Sequence, residues 1–338
     1  MNQTVQPKVD LRAVLNRAGS LTWLMKVVSH QIIGHLPQPH RLNQRLQDWR
    51  GAFNESNLWQ AFEWQANHLR RLNGRFPLTD RTVLEVGPGP FARAAVAFHL
   101  MGARRVYAVD HLPLMRGEWI SRYVNVLRRE SERCAQLLGV PAEQVEQRLA
   151  ALSGLQTREQ FFQHLDMTYM APADAASTGL PDGSIDLIFS YGVIEHIPLD
   201  DLHRLMRETR RILSPDGRAY HNIGLHDHFC GWGVDNAVDF LRYSDFKWQL
   251  IAGNALAYHN RLREPEYFDL FEQCGLMPIW HETTLMERDL EALKSLHIDK
   301  KFAGYSAEQN AASELFVDLV RATPDSSGAS DLSLDALS

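Results

Sequence analysis

The stretch VLEVGPGPFA, Val83 to Ala92, decides the fold and raises the question of what the chain binds. An apolar strand leads into a glycine-rich turn, and the glycines have the G-x-G-x-x-A spacing of a dinucleotide loop. Closely spaced glycines let the backbone approach a ligand, and the helix that follows offers unpaired N–H groups. An ordinary tight turn can show the same pattern, so the neighbouring segments must decide.

Two features of this loop disfavour a dinucleotide. Pro88 and Pro90 each remove an N–H donor, which makes the turn a poor site for a pyrophosphate. Glu85 occupies a strand position that is normally apolar in nicotinamide-binding folds. A carboxylate at this place suits a ligand that carries a positive charge or an amine.

Two further carboxylates follow along the chain. Asp110 ends the next strand, RVYAVD, 25 residues after Glu85, where a carboxylate can accept both hydroxyls of a ribose. Asp174 precedes the turn and strand LPDGSIDLIFS, where it can accept an adenine amino group while the next N–H meets a ring nitrogen. Asp174 alone is more often a loop cap, but the ordered series indicates an adenosine ligand.

Strand and helix patterns alternate beyond residue 80. This alternation predicts a doubly wound α/β fold, with a mostly parallel sheet that is covered on both faces and binds its ligand at the carboxyl ends of the strands. The sheet domain is predicted over residues 81–323, with a helical N-terminal extension over residues 1–80 and a helical insertion at about 112–168. We expect the extension and the insertion to cap the ligand site, and the polar tail at 324–338 to be disordered.

The composition limits the partners. The formal net charge is −6, so the basic excess of nucleic-acid-binding proteins is missing. Three scattered cysteines predict a reducing, cytoplasmic location rather than a disulfide framework. Residues 20–36 are apolar but interrupted by Lys26, so they predict neither a transmembrane segment nor a signal peptide. They predict a helix packed on the domain, with a helix on a membrane surface as the alternative.

Four motifs together resemble those of class I S-adenosylmethionine-dependent methyltransferases of the type 11 kind. They are VLEVGPGP, VYAVD, ADAA with LPDGSIDLIFSYGVIEHI, and RRILSPDGRAYHNI. The resemblance implies a seven-stranded Rossmann-like sheet with an antiparallel last strand, and S-adenosyl-L-methionine as the cofactor. The segments YHNIGLHDHF and YHNRLREPEYFDLFEQCG are also similar to a bacterial subgroup often associated with polysaccharide or natural-product pathways.

The resemblance also implies which residues hold the cofactor. They lie at the ends of four strands: Glu85, Gly87, Pro88 and Gly89 at the methionine end, Asp110 and His111 at the ribose, Asp174 and Ala175 at the adenine, and Ser190, Tyr191 and Gly192 beside the transferable methyl group.

Histidines after the fourth and fifth strands are candidates for catalysis. A sulfonium methyl group is already electrophilic, so the chain must chiefly align the acceptor, but a hydroxyl acceptor also benefits from a base. Histidine suits this role near neutral pH, and the candidates in order are His228, His221 and His226, with Asp227 to orient one of them. Each histidine can equally be an ordinary hydrogen-bonded residue. The H-x4-H-D-H spacing can also bind a metal, although it matches no standard zinc pattern.

The residues predicted to contact the acceptor are His196, Trp248, Tyr258, Asn260 and Arg261. Arg261 can dock an acidic acceptor or pair with Glu264, and aromatic residues at such positions are more often part of a core. We predict a methyltransferase acting on a small molecule or saccharide, with transfer to oxygen favoured over nitrogen or carbon. The competing hypotheses are an NAD(P)-dependent oxidoreductase, which Glu85 disfavours, and a catalytically silent cofactor-binding protein.

Overall fold

The structure is a computed structural model that describes residues 21–232 and 234–322. The predicted disordered tail at 324–338 and the first 20 residues of the predicted extension lie outside the described residues.

Strands and helices alternate along this part of the chain. The strands are β1 (Thr82–Val86), β2 (Arg105–Val109), β3 (Met167–Met170), β4 (Ile185–Tyr191), β5 (Leu213–Gly224), β6 (Leu276–Leu285) and β7 (Ala312–Arg321). The α-helices are α1 (Leu21–Gly34), α2 (Pro39–Trp49), α3 (Glu55–Arg75), α4 (Arg93–Met101), α5 (Gly117–Arg129), α6 (Ser131–Leu138), α7 (Ala142–Ala151), α8 (Arg158–His164), α9 (Leu199–Ile212), α10 (Asp245–Ala252), α11 (Glu264–Gln273), α12 (Glu287–Ser295) and α13 (Ala307–Ala311). Short 3-10 helices lie at Ile194–His196, Asp239–Arg242 and Lys300–Phe302.

One sheet contains all seven strands, in the order β3-β2-β1-β4-β5-β7-β6. The first five strands are parallel to one another, whereas β7 is antiparallel to both β5 and β6. The chain progresses outward from β1 through β2 to β3 and then returns to pair β4 with β1. This reversal of direction places the expected ligand crevice at the carboxyl ends of β1 and β4. The predicted fold class is confirmed.

The described chain divides into two compact units. The sheet unit comprises Phe53–Ile223, Pro265–Glu282 and residues 316–322, and the helical unit comprises residues 21–52, Gly224–Glu264 and Thr283–Leu315. The predicted boundary at residue 80 differs from the division at 52, because α3 buries Leu58, Phe62 and Leu69 in the core of the sheet unit. The predicted insertion forms α5 to α8.

Each unit has its own apolar core. In the sheet unit, the helices of the insertion bury Tyr123, Leu127 and Leu149 together with the residues of α3 and α4, so the insertion is an integral part of this core. The core of the helical unit is aromatic and includes Trp23 and Trp248. Among the described residues, no helix combines the length and apolarity needed to span a bilayer.

Candidate functional site

A cavity of about 380 Å³ lies within the sheet unit at the carboxyl ends of β1 and β2. Its walls come from segments that follow four parallel strands and from the first turns of α9. Of the residues predicted from the sequence, six line it: Gly87, Asp110, His111, Asp174, Ala175 and His196. The sheet topology therefore gathers residues that lie up to 109 positions apart in the chain around one cavity.

Gly87 begins the turn after β1. Its φ of +70° is in the left-handed region, and a Cβ built there would lie 2.5 Å from Cγ2 of Val193, which also lines the cavity. Its N–H donates to the carbonyl of Val109 over 2.9 Å, which ties the turn to β2. Gly89 also has a positive φ, +63°, but a Cβ there would meet open space. Gly87 is thus required by close packing as well as by conformation.

Glu85 lies in β1 and is only 5% exposed, although it does not line the cavity itself. Burial raises the pKa of its carboxyl to about 8, and the nearby Arg93 opposes this shift. Among the protein groups of the described residues, Oε2 of Glu85 has no hydrogen-bond partner. A buried carboxyl oxygen without a partner costs free energy, which an amine or ammonium donor would recover.

Asp110 follows β2 and is 7% exposed. Its Oδ1 accepts the N–H of Leu112 over 3.0 Å and lies 3.2 Å from Nδ1 of His111. The hydrogen bond to Asp110 raises the pKa of the exposed His111. Both contacts are made by Oδ1, and a carboxylate offers about four acceptor positions.

Asp174 lies on the rim and has a half-exposed side chain. Its Oδ1 accepts the N–H of Ala176 over 2.8 Å, and Oδ2 accepts Nη2 of Arg204 over 2.7 Å. The hydrogen bond from Ala176, reinforced by Arg204, lowers the pKa of Asp174. A carboxylate has about four acceptor positions, so two contacts leave room for another donor.

Sequence reasoning missed Arg204 as a component of the cavity wall. It also donates to Asp201 over 2.9 Å, so one arginine of α9 joins two carboxylates at the rim. The spacing of Asp201 and Arg204, three residues apart on a helix, is a local sequence pattern that predicts their pairing. The pairing with Asp174, 30 residues away, has no such pattern.

Ser190 and His221 are paired at the centre of the sheet. They occupy neighbouring positions of β4 and β5, both are buried, and Oγ of Ser190 lies 2.8 Å from Nδ1 of His221. Burial lowers the pKa of His221 to about 3, so its ring is neutral over the physiological range. Tyr191 and Gly192 follow directly, and Gly192 has a φ of +64° at the end of the strand. None of these four lines the cavity.

The other predicted catalytic residues belong to the helical unit. Nδ1 of His226 donates to the carbonyl of Ser313 over 3.0 Å. The ring of His228 lies 5.0 Å from that of His226 and 4.6 Å from that of His259, measured between centroids. Asp227 is buried, and burial raises its pKa to about 7, against the effect of the Phe229 N–H that it accepts over 2.8 Å.

The predicted acceptor-binding residues of the helical unit are largely used within that unit. Trp248 is part of the aromatic core, and Oδ1 of Asn260 caps the N–H of Leu262. Arg261 is 3% exposed and donates to the carbonyls of Phe240 and Tyr243 and to Asp245, rather than to Glu264 as the sequence suggested. The guanidinium of Arg261 therefore holds the segment from Phe240 to Asp245 in place. Tyr258 is half-buried.

Part of the chain matches a known protein family. Residues 131–221 match the family model of the methyltransferase domain, a range that runs from α6 to β5 and begins after the glycine loop. No curated protein sequence matches the chain.

Several solved structures are similar in three dimensions. An S-adenosylmethionine-dependent methyltransferase from Mesorhizobium loti is 18% identical with a TM-score of 0.44, over 78% of this chain and 100% of that one. Geranyl diphosphate C-methyltransferase from Streptomyces coelicolor is 14% identical with a TM-score of 0.44, over 79% and 83%. The 1,6-didemethyltoxoflavin-N1-methyltransferase from Burkholderia thailandensis is 14% identical with a TM-score of 0.42, over 85% and 92%.

The order and directions of the seven strands are those that the sequence predicted for a Rossmann-like methyltransferase sheet. The match of residues 131–221 to the methyltransferase domain agrees with the predicted family and with S-adenosyl-L-methionine as the predicted cofactor. The individual site residues stay predictions.

Proposed function

We propose that the protein transfers a methyl group from S-adenosyl-L-methionine to a hydroxyl of a small molecule or saccharide. The observation that carries the proposal is the cavity of the sheet unit, in which Gly87 and Asp110 lie at the ends of adjacent strands. The buried carboxyl of Glu85 lies two residues before Gly87 in the same strand and turn.

The residues of the sheet unit fit the cofactor by charge and by space. Oε2 of Glu85 is a buried acceptor without a partner, which suits the ammonium of the methionine end. Gly87 has no Cβ, and a Cβ at this position would collide with Val193. Asp110 suits the ribose hydroxyls, and Asp174 with the N–H of Ala175 suits the adenine, because both lie on the cavity wall.

The bound cofactor supplies an electrophilic methyl group, so the chain's contribution is orientation and proton removal. Positioning the reacting atoms can lower the barrier by several kcal/mol, and a general base typically adds about 10²–10⁴-fold. Among the histidine candidates, His221 is disfavoured, since a pKa of about 3 makes it a weak base at neutral pH. We therefore retain His228 as the preferred base and His226 as the second.

The assignment of oxygen as the acceptor atom follows from this histidine base, because a hydroxyl must lose its proton whereas a neutral amine can attack without prior deprotonation. Transfer to nitrogen or carbon is the alternative. The acceptor atom can be tested with a donor whose methyl group is labelled with ¹³C. The protein is incubated with this donor and a panel of hydroxylated small molecules and saccharides. The carbon chemical shift of the product distinguishes O-methyl, N-methyl and C-methyl groups.

Binding of the cofactor product is measured separately by calorimetric titration with S-adenosylhomocysteine. Asp110→Ala should abolish binding, and Asp200→Asn serves as the control because that exposed carboxylate of α9 does not line the cavity. His228→Asn should keep the affinity for S-adenosylhomocysteine but lower methyl transfer by at least about 100-fold. Tight binding of NADH without binding of S-adenosylhomocysteine would refute the proposal, and unchanged affinity in Asp110→Ala would refute the ribose assignment.

A further inference from the structure

Helix α1 has apolar residues on two faces. Trp23 and Val27 are buried in the core of the helical unit. On the opposite side, four large apolar side chains are between 46% and 73% exposed, and their spacing of three or four residues places them in one stripe: Leu21, Met25, Val28 and Ile32. Packing in the core accounts for Trp23 and Val27. It does not account for the exposed apolar stripe.

Helix α10 contacts α1 and also exposes large apolar side chains. Nε2 of Gln31 donates to the carbonyls of Leu250 and Ile251 over 2.9 and 3.0 Å, which holds α1 against the end of α10. Phe246 and Leu250, one turn apart on α10, are 61% and 48% exposed. We call the six side chains of α1 and α10 the apolar face. Large apolar side chains exposed together on two contacting helices indicate an interaction site rather than an ordinary protein surface.

Basic residues lie next to the apolar face in the chain. Helix α2, which contacts α1, buries none of its residues. Arg41, Arg45 and Arg50 are exposed on it or at its end, and the indole of Trp49 is 83% exposed. Residues 1–52 contain seven lysines and arginines against two aspartates, although the whole chain has a formal net charge of −6. The positive charge is thus concentrated in the segment that carries most of the apolar face.

We propose that the apolar face docks on the surface of a membrane that contains anionic lipids. Helix α1 lies in the interfacial plane with Met25 and Ile32 inserted between the headgroups, the arginines of α2 contact lipid phosphates, and Trp49 lies at the level of the headgroups. Amphipathic helices with an apolar face and nearby basic residues bind in this way, and tryptophan is enriched at this depth. No spanning segment is required.

Charge argues against the other occupants of the face. A two-fold contact between copies of the chain would bring the arginines of α2 near those of the partner, and like charges across an interface are unfavourable. Residues 1–20 contain three basic residues and one acidic residue, so they do not complement α2 either. An anionic bilayer supplies both the apolar phase and the negative charge.

The test is flotation of the full-length protein with vesicles of pure phosphatidylcholine and with vesicles of equal parts phosphatidylcholine and phosphatidylglycerol. We expect binding to the anionic vesicles only, weakened by salt. Met25→Glu/Ile32→Glu should lose binding, and removal of the arginines of α2 should weaken it about fivefold for each one replaced by glutamine. Ile279→Glu is the matched control, since this residue is 40% exposed on β6 of the sheet unit.

All substituted side chains are exposed, so each variant should keep the thermal stability and the S-adenosylhomocysteine affinity of the parent protein. The proposal is overturned if neutral and anionic vesicles bind equally, or if the Met25/Ile32 variant binds like the control. It is also overturned if that variant converts a dimer to a monomer while the parent ignores vesicles, since the occupant is then a second copy. Binding that appears only after deletion of residues 1–20 would identify that segment as the occupant instead.

Discussion

Glu85→Gln removes a buried carboxyl that titrates near neutral pH. Burial raises the pKa of Glu85 from 4.5 to about 8 in the free protein. At pH 6 only about one molecule in a hundred therefore carries the ionised form. If the cofactor ammonium binds to the carboxylate, binding must remove this proton at any pH below about 8.

The pKa of Glu85 determines how strongly the affinity for S-adenosylhomocysteine should depend on pH. Affinity for S-adenosylhomocysteine should rise about tenfold for each pH unit between about 6 and 8, and then level off. In Glu85→Gln the group no longer titrates, so this rise should vanish. The variant should bind about 10- to 100-fold more weakly than the parent at pH 8, which is the worth of a charge-assisted hydrogen bond of roughly 1.5–3 kcal/mol.

Calorimetric titration at pH 6, 7 and 8, with two buffers of different ionisation enthalpy at each pH, gives both the affinity and the number of protons released. The amine of the ligand is the same for both proteins, so the difference in slope isolates Glu85. Glu146→Gln is the control, because this residue is exposed on α7. The role of Glu85 in binding the ammonium would be contradicted if the affinity rose equally with pH in the parent and in Glu85→Gln. It would also be contradicted if the affinity of the parent were constant from pH 6 to 8.

The same carboxyl affects stability. Folding raises the pKa of Glu85, so the folded state holds the proton more tightly than the unfolded state does. The stability that this proton contributes is fully present below about pH 4.5 and is lost as the pH rises through about 8. Within this window the loss approaches about 1.4 kcal/mol per pH unit. Urea unfolding of the free protein between pH 5 and 8 should therefore show a flatter pH dependence for Glu85→Gln.

Two further predictions concern packing. Gly87→Ala should lower both S-adenosylhomocysteine affinity and stability, because its Cβ would lie 2.5 Å from Val193, whereas Gly89→Ala, with a similar positive φ but open space, should show only the conformational cost of about 1 kcal/mol. If Gly87→Ala and Gly89→Ala lost equal affinity and equal stability, the contact with Val193 would not be important. Arg261→Met should reduce the free energy of unfolding by about 2–5 kcal/mol, since it leaves the carbonyls of Phe240 and Tyr243 without their buried donor. Arg128→Met, at an exposed position of α5, should change it by less than about 0.5 kcal/mol, and an equally small effect at Arg261 would refute its structural role.

The strand-end residues show how far local patterns reach. Gly87 and Asp110 each follow a short apolar strand, and parallel strands bring their carboxyl ends to the same edge of a sheet, so their proximity could be predicted. The pairing of Asp174 with Arg204 could not, because it depends on how α9 packs beside a loop 30 residues earlier. The same holds for Ser190 and His221, whose hydrogen bond depends on the register of β4 against β5.

The sequence by itself determined the fold class, and it predicted the cofactor class and the loop VLEVGPGPFA as part of the cofactor-binding region, because strand periodicity, glycine spacing and the carboxylates at strand ends are local properties. Only the tertiary structure decided which candidate side chains are available for chemistry. Trp248 and Arg261 look like acceptor ligands in the sequence, but one lies in an aromatic core and the other holds backbone carbonyls. Burial also gives Glu85 a pKa of about 8 and His221 a pKa of about 3. These outcomes depend on desolvation and on contacts between distant segments, which no local pattern records.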